Sequence, residues 1–291
     1  MISTPPRERV VLVGLGAMGL PILRRLNSAG IPTFGIDSDP SRLAIAQEEG
    51  IPCSNSLTDA PESSIVVTLV AGAEQCMQVV HGFKVNIDWT PRVWTVMSTL
   101  GVSQIRAIAN ELVSPDTDLI DAPVTGGVAG ASSGDLQIMC AGNQSTYDFL
   151  EPLFGHLGTS RRISSRIGDA QALKLVNNLL TTIHLVAGAE ALALAEALEL
   201  DPSILREILL GGSASSWMLQ DRFPRYIDRD AQENAVTALR IFVKDSQLIR
   251  SMADAAQRPV PLLESAERIL ERAQSMGLAD WDDSSVIRVY D

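Results

Sequence analysis

The sequence is poor in the residues that build disulfide frameworks and metal sites. Its three cysteines, Cys53, Cys76 and Cys140, are widely spaced and form no CxxC pair. This usage favours free thiols in a reducing cytosol, so a cytoplasmic location is expected. The three histidines lack metal-ligand spacing, and no metal site is predicted. The first residues also lack a basic segment followed by an apolar run, so we expect no secretory signal there.

Positive charge is scarce as well. The chain has 23 Lys and Arg residues against 35 Asp and Glu residues, a net charge of -12. Such a chain repels phosphates, which argues against nucleic acid or an anionic membrane as a partner, although a local cationic pocket can still hold a small anion. The one long apolar span, residues 179–198, is interrupted by Glu190 and Glu196, so a membrane helix is not expected. The 291 residues are enough for one large or two ordinary domains.

A glycine-rich turn follows the first apolar run. Val10–Val13 is a continuous apolar stretch, typical of a buried parallel strand, and a helical pattern begins after the turn. GxGxxG therefore stands between a strand and a helix, the context that dinucleotide binding requires. The residues predicted to hold the pyrophosphate are Gly14, Leu15, Gly16, Ala17, Met18 and Gly19.

An acidic residue stands where a ribose ligand is expected. The second strand, Thr33–Ile36, leads into Asp37, about twenty residues after the first glycine of the turn. A carboxylate there would accept hydrogen bonds from the adenosine ribose and repel a 2′-phosphate, which predicts NAD rather than NADP. Arg42 leaves NADP open, because an arginine can receive that phosphate; a solvated position in the helix after Pro40 is the alternative.

Apolar runs alternate with helical patterns through the first half of the chain. The further runs lie at 65–70, 93–97, 119–124 and 136–141. This alternation predicts an α/β Rossmann domain with a doubly wound parallel sheet. Ligands bind at the carboxyl ends of such strands, so Leu69, Val70 and Thr99 are candidates for the nicotinamide side of the site. Ordinary turn positions are the alternative for each of them.

A second candidate anion site follows the strand that ends near residue 124. The stretch DAPVTGGVAGA places a Thr-Gly-Gly sequence ahead of a run of small residues. The backbone N–H groups of Gly126 and Gly127 and the hydroxyl of Thr125 have the chemistry to hold a carboxylate. A flexible loop over residues 127–133 is the alternative.

A long helix with one polar stripe is predicted from residue 168 onward. Between residues 170 and 189 the only full charge is Lys174, and on a helix it shares a narrow stripe with Gln171, Asn177, Asn178 and Thr181. We expect the stripe to line a cleft in which Asn178 orients a ligand and the lysine pKa falls from about 10.4 towards about 7 to 8. The side chains expected to be buried around the stripe are Leu173, Leu175, Val176, Leu179, Leu180 and Ile183. The alternative is the wet side of an ordinary amphipathic helix.

The second half of the chain reads as helical. Only residues 286–289 resemble a strand. The sequence therefore predicts a dinucleotide-binding domain over residues 1–166 and an all-α substrate and dimerisation domain over residues 167–291. The long apolar helix and the lack of a disulfide framework predict a homo-oligomer, a dimer or a tetramer.

Four stretches in a fixed order resemble a known family. They are GLGAMG, DAPVTGGVAGASSG, GDAQALKLVNN and, from residue 244, KDSQL. In this order they resemble the β-hydroxyacid dehydrogenases, which include 3-hydroxyisobutyrate, tartronate-semialdehyde and threonate dehydrogenases. The resemblance covers most of the chain and implies a Rossmann domain followed by an all-helical domain.

The resemblance also implies roles for particular residues. Lys174 would be the catalytic lysine, and Asn178 would orient the substrate. Lys244 matches a lysine beside the nicotinamide. The Thr-Gly-Gly of residues 125–127 takes the place of a carboxylate-binding Ser-Gly-Gly.

Three positions depart from the family pattern. Thr125 replaces a usual Ser and adds a methyl group, Ala170 replaces a usual Gly, and Ala71 stands where many relatives have Pro. None removes a chemical group, so activity is expected and only substrate identity is put in doubt. Imine reductases share the fold but usually lack the lysine, so Lys174 argues against that activity.

These observations predict an NAD-dependent oxidoreductase that transfers hydride between a small 3-hydroxy acid and the nicotinamide. Lys174 would take the hydroxyl proton. Lys244 is the second candidate, and it ranks below Lys174 because an ion pair with the neighbouring Asp245 would keep it protonated. The alternatives are an NADPH-dependent aldehyde-acid or imine reductase and a catalytically silent nucleotide-binding relative.

Overall fold

The chain divides into two compact units. The computed structural model describes residues 8–112 and 116–291, so residues 1–7 and 113–115 of the predicted first domain lie outside the description. One unit ends at Lys174 and the other spans Leu175–Asp291. This division lies inside a continuous helix, and the domain boundary predicted at residues 166 and 167 stays a prediction.

A nine-stranded sheet forms the centre of the first unit. Its strand order is β3-β2-β1-β4-β5-β6-β8-β7, with β9 paired to β8. The strands from β1 to β6 pair in parallel, as predicted, while β8 runs antiparallel to β6 and β7. The strands are β1 (Val10–Val13), β2 (Thr33–Ile36), β3 (Cys53–Ser54), β4 (Ile65–Thr68), β5 (Val93–Val96), β6 (Asp118–Asp121), β7 (Val124–Thr125), β8 (Leu136–Ala141) and β9 (Gly158–Ser164).

Helices cover both faces of this sheet, which confirms the predicted doubly wound arrangement. Because side chains alternate along a strand, Val10 and Leu12 of β1 enter one apolar core while Val11 and Val13 enter another. The helices of the unit are α1 (Gly19–Ser28), α2 (Pro40–Glu48), α3 (Ala73–Asn86), α4 (Val102–Leu112), α5 (Gly127–Ser133) and α6 (Gln144–Gly155). Side chains of α1, α2 and α6 pack in the first core, and those of α3 and α4 pack in the second.

The parallel strands end in register at one edge of the sheet. Val13 of β1 pairs with Ile36 and with Thr68, Thr68 pairs with Val96, and Val96 pairs with Asp121. The residues that follow these strands therefore emerge side by side, at the edge where doubly wound sheets bind ligands.

The second unit is helical. Its helices are the C-terminal part of α7 (Asp169–Ala197), α8 (Pro202–Gly211), α9 (Trp217–Ile227), α10 (Leu239–Ala255) and α11 (Pro261–Ser275). The strand suggested at residues 286–289 is wrong, because Asp283–Tyr290 forms a 3-10 helix. The Asp282 side chain accepts the Ser284 N–H at its start, and a buried ion pair joins Arg222 of α9 to Asp283. A short apolar run does not by itself distinguish a buried strand from a buried helical turn.

Helix α7 has the length and apolar composition of a membrane span, and it is the one helix among the described residues that does. Its side chains Leu185, Val186 and Leu192 belong to the apolar core of the second unit. The Tyr226 hydroxyl of α9 also donates a hydrogen bond to the Leu185 carbonyl, at 2.7 Å. These contacts identify α7 as a core helix of that unit.

Candidate active site

The glycine turn after β1 has the shape of a pyrophosphate cradle. Gly14 has a φ of +102°, and a Cβ added there would lie 2.3 Å from the Leu69 carbonyl oxygen. A Cβ on Gly19, at the start of α1, would lie 1.8 Å from the Gly14 carbonyl oxygen. A Cβ on Gly16 would meet no described atom within 4 Å. The outer glycines are therefore required by the fold, while Gly16 leaves open space where a ligand can approach the backbone, so the turn fits a dinucleotide.

The other residues of the turn differ in how far they are exposed to solvent. Leu15 is buried in the core, and its backbone N–H donates to Asp37 Oδ2 at 2.5 Å. Ala17 is exposed and Met18 is half-buried. The Asp37 carboxylate, at the end of β2, also accepts the Asp39 N–H at 2.8 Å. Each carboxylate oxygen has more than one lone pair, so Asp37 can shape the turn and still accept a ribose hydroxyl.

The candidate nicotinamide residues lie at the same edge of the sheet. Leu69 and Val70 follow β4 and are half-buried, and Thr99, shortly after β5, is half-buried as well. The Val70 N–H donates to the Ser98 hydroxyl at 2.8 Å, so the ends of two adjacent strands are linked. Their positions are those expected of residues that line a ligand at the carboxyl ends of strands.

The Thr-Gly-Gly stretch turns from a strand into a helix. Thr125 ends β7, and Gly126 and Gly127 adopt positive φ values of +127° and +63°. The short helix α5 begins at Gly127, so the alternative of a flexible loop over residues 127–133 is wrong. Gly127 is exposed, and a Cβ added there would meet no described atom within 4 Å. The backbone is thus open to a small anion at this point.

A buried carboxylate–amide cluster fixes the start of α7. Asp121, at the end of β6, accepts hydrogen bonds from the Gly168 N–H at 3.0 Å and from the Gln171 side-chain amide at 2.9 Å. The same amide donates to the Ser98 carbonyl at 3.0 Å, and its oxygen accepts the Leu100 N–H at 2.8 Å. Asp121 and Gln171 are fully buried. The first turn of α7 is therefore tied to the ends of β5 and β6, and Lys174 follows one turn later.

Burial raises the pKa of Asp121 to about 6, although hydrogen bonds from Gln171 and Gly168 act in the opposite direction. The nearby Cys140 thiol has its pKa raised to about 12, by burial first and then by the Asp121 charge. No role for Asp121 followed from the sequence, and Gln171 was predicted only to line a cleft together with the rest of the polar stripe. The sequence does contain an indication of such a role, because Asp121 is a charged residue at the end of the apolar run that forms β6.

Helix α7 buries part of its polar stripe, whereas Asn177 of the same stripe is exposed, and it exposes some of its apolar side chains. Lys174 and Asn178 are each 8% exposed. Leu173, Val176 and Leu180 are 43%, 49% and 54% exposed. The expectation that these three side chains are buried is therefore wrong. Gln171 and Asn178 of the stripe find hydrogen-bond partners inside the protein.

In the second unit, Asn178 belongs to a smaller polar cluster. Its Nδ2 donates to Asp245 Oδ2 on α10 at 2.7 Å, and its Oδ1 accepts from Asn177 Nδ2 at 3.2 Å. Asp245 is 6% exposed, and the Lys244 ammonium lies 3.1 Å from its other oxygen, Oδ1. The contact between Asn178 and Asp245 was not anticipated, because 67 residues separate them in the chain.

Among the described residues, no group of three or more His, Cys, Asp or Glu side chains is placed to hold a metal ion.

Comparison with known proteins relates both units to nicotinamide-dependent enzymes. Residues 9–168 match the family described as the NAD binding domain of 6-phosphogluconate dehydrogenase. Residues 168–290 match the family described as NAD-binding of NADP-dependent 3-hydroxyisobutyrate dehydrogenase.

Individual relatives align over nearly the whole chain. An L-threonate dehydrogenase of Pectobacterium atrosepticum is 31% identical over 97% of this chain and 93% of its own. A 2-hydroxy-3-oxopropionate reductase of Escherichia coli is 27% identical over 96% of each chain. The crystal structure of a 3-hydroxyisobutyrate dehydrogenase from Salmonella typhimurium superposes with a TM-score of 0.87 at 30% identity, covering 97% of this chain and 99% of that one.

The open space at Gly16 predicts that binding and folding respond differently to two substitutions in the same turn. Gly16→Ala should leave the melting temperature unchanged and raise the Kd for NADH about tenfold or more, because the methyl group enters the cradle. Gly19→Ala should lower the melting temperature, because its methyl group collides with the Gly14 carbonyl. Fluorescence titration and thermal unfolding measure the two effects. Parental NADH affinity in Gly16→Ala would contradict the assignment.

The raised pKa of Asp121 predicts a pH-dependent contribution to stability. Because this pKa is higher in the folded than in the unfolded chain, the folded state binds the proton first, and the contribution declines as pH rises from about 4 to about 6. Asp121→Asn cannot titrate there. The free energy of unfolding of the parent minus that of the variant should fall by roughly 3 kcal/mol over this interval, measured by urea unfolding. A difference independent of pH would refute the shift.

Proposed function

Since the chain belongs to the 3-hydroxyisobutyrate dehydrogenase-like β-hydroxyacid dehydrogenase family, we propose that it is an NAD-dependent dehydrogenase of a small 3-hydroxy acid. That it is a hydroxy acid dehydrogenase with a nicotinamide cofactor follows from the family and the relatives. The observation that carries the finer proposal is the burial of Lys174 one helical turn after Gln171. Gln171 is itself bonded to Ser98 and Leu100, which follow β5 at the edge of the sheet where the glycine turn also lies.

The substrate carboxylate is assigned to residues 125–127. The Thr125 hydroxyl and the N–H groups of Gly126 and Gly127 offer neutral donors in a part of the backbone that leaves room for a small anion. At hydrogen-bond distance these donors can hold one carboxylate even though the net charge of -12 opposes anions at longer range. The relatives named for threonate and for 2-hydroxy-3-oxopropionate indicate an acid of three or four carbons.

Proton transfer is assigned to Lys174. A bound nicotinamide supplies the hydride acceptor in the oxidation direction and the donor in the reverse direction. The Lys174 amine takes the proton of the substrate hydroxyl as the alcohol is oxidised and returns it when the carbonyl is reduced. Asn178, four residues further along the same helix, holds the substrate hydroxyl in line. The buried cluster at Asp121 and Gln171 keeps the lysine-bearing turn in place.

NAD is the proposed cofactor. Asp37 places a carboxylate beside the glycine turn, where its Oδ2 accepts the Leu15 N–H. That carboxylate would repel the 2′-phosphate that distinguishes NADP. The family matched by residues 168–290 is described for an NADP-dependent enzyme, so NADP is the competing assignment. The contact of Lys244 with the cofactor, implied by the resemblance, remains a prediction.

The deciding assay is a panel of 2- and 3-hydroxy acids of three to five carbons, each offered with NAD and with NADP. Reduction of NAD by at least one 3-hydroxy acid is expected. Turnover of an imine with NADPH, and of no hydroxy acid, would replace the proposal by the reductase alternative. A chain that binds NADH and turns over nothing would be a silent relative.

Removal of the Lys174 amine should lower kcat by about two to four decades. Lys174→Ala removes the proton acceptor, and Lys174→Arg keeps a charge that does not leave at neutral pH, so both should show the loss. The Kd for NADH should stay within a few-fold of the parent. Lys84→Ala is the matched control, since Lys84 is exposed and pairs with Glu111. Parental turnover in Lys174→Ala would rule out the role.

Neutralising Asp37 should reduce cofactor selectivity. Asp37→Asn keeps an oxygen to accept the Leu15 N–H and removes the charge, so the ratio of kcat/KM with NAD to that with NADP should fall about tenfold. Steady-state kinetics with both cofactors measure the ratio. The same ratio in parent and variant would show that Asp37 does not face the ribose.

A second copy of the chain is proposed to cover the exposed apolar side chains of α7. Leu173, Val176 and Leu180 follow one another at helical spacing and form a stripe that water would otherwise contact. Sedimentation at micromolar concentration should give a dimer or a tetramer, and Leu180→Glu should shift it towards the monomer. A monomeric parent would remove the proposal.

The free cysteines agree with a proposed cytoplasmic location.

A further inference from the structure

The side-chain amide of Asn178 has two chemically different ends, and its surroundings determine which end faces where. Its Nδ2 lies 2.7 Å from Asp245 Oδ2. An ionised carboxylate accepts hydrogen bonds and donates none, so the NH₂ end of Asn178 must face Asp245. The oxygen end therefore points away from Asp245, where it accepts from Asn177 at 3.2 Å and retains a second lone pair.

The Asp245 carboxylate is itself oriented by a charge. The Lys244 ammonium lies 3.1 Å from Oδ1, the oxygen that does not contact Asn178. Oδ2 is thereby left to the amide. Asp245 is 6% exposed and Asn178 is 8% exposed, so water does not readily replace either partner.

We propose that Asp245 is a positioning residue that holds Asn178 as a hydrogen-bond acceptor, so that the site distinguishes the alcohol from the carbonyl form of its substrate. This inference rests on the proposed function, in which Asn178 meets the reacting oxygen. A hydroxyl has a proton to donate to the Asn178 oxygen, and a carbonyl has none. With the amide in this orientation the hydroxy acid gains a hydrogen bond that the oxo acid lacks.

The substitution Asp245→Asn reverses the arrangement with almost no change of shape. The new amide oxygen is attracted to the Lys244 ammonium, which leaves its NH₂ group facing Asn178. Asn178 must then present its oxygen to residue 245 and its NH₂ group to the substrate. The variant should favour the carbonyl form, which accepts, over the hydroxyl form.

The double variant Asn178→Asp with Asp245→Asn restores the acceptor. The NH₂ group of residue 245 then donates to the new carboxylate at position 178, whose other oxygen faces the substrate. The net charge of the pair is the same as in the parent. Recovery in this variant therefore reports on hydrogen-bond polarity and not on charge or packing.

The experiment compares two probes that differ only in the oxygen at C3, 3-hydroxybutyrate and acetoacetate. Their Kd values are measured by calorimetry on the full chain, together with KM and kcat in each direction. Asp245→Asn should raise the Kd for 3-hydroxybutyrate about tenfold and should not raise that for acetoacetate. The double variant should return the 3-hydroxybutyrate value to within about threefold of the parent. Asp254→Asn, an exposed position on the same helix α10, should change neither value.

Two results would overturn the inference alone. One is an equal change in both Kd values in Asp245→Asn, which is what a purely structural role predicts. The other is a double variant that binds 3-hydroxybutyrate as weakly as Asp245→Asn does. If the parent binds neither probe and oxidises no acid of the panel, the proposed function fails and this inference falls with it.

Discussion

A buried carboxylate that is held by an amide is the interaction on which the first unit depends. Asp121 and Gln171 have no access to water, so each of their polar atoms needs a partner inside the protein. The partners they find are the backbone groups of Ser98, Leu100 and Gly168. These groups lie where the strands end and where α7 begins. These hydrogen bonds therefore fix where α7 begins, and the start of the helix in turn sets the position of Lys174.

Around Lys174 and Asn178, helix α7 departs from the usual amphipathic pattern. Its lysine and amide face inward, and several leucine and valine side chains face outward. Inward polar groups are tolerated because hydrogen bonds satisfy them, as between Asn178 and Asp245. Outward apolar groups are costly in water, and the proposal that a second copy of the chain covers them rests on that cost. Both features separate α7 from an ordinary core helix.

Membership in the family indicates a hydroxy acid dehydrogenase, and three residues of this chain differ from the usual family pattern. Thr125 keeps the hydroxyl of the usual Ser and adds a methyl group beside the proposed carboxylate site. Ala71 stands where many relatives have Pro, and its N–H, which a proline lacks, donates to the Gln75 side chain at 3.0 Å. Ala170 is fully buried in the first turn of α7, so its methyl group lies inside the protein at the start of the helix. All three act on shape and hydrogen bonding, and none alters the groups assigned to hydride and proton transfer.

The amino-acid sequence by itself determined the order of strands and helices and the glycine turn, because these follow from short periodic patterns and from the steric freedom of glycine. It also placed Lys174 and Asn178 on one helix face. It did not reveal that Leu173, Val176 and Leu180 are exposed, because periodicity separates two faces of a helix and does not say which one is covered. Tertiary structure alone decided the partners of Asp121, Gln171 and Asn178. Apart from Asn177, which is next to Asn178, those partners lie tens of residues away in the chain, and only folding brings a hydrogen-bond donor to each acceptor.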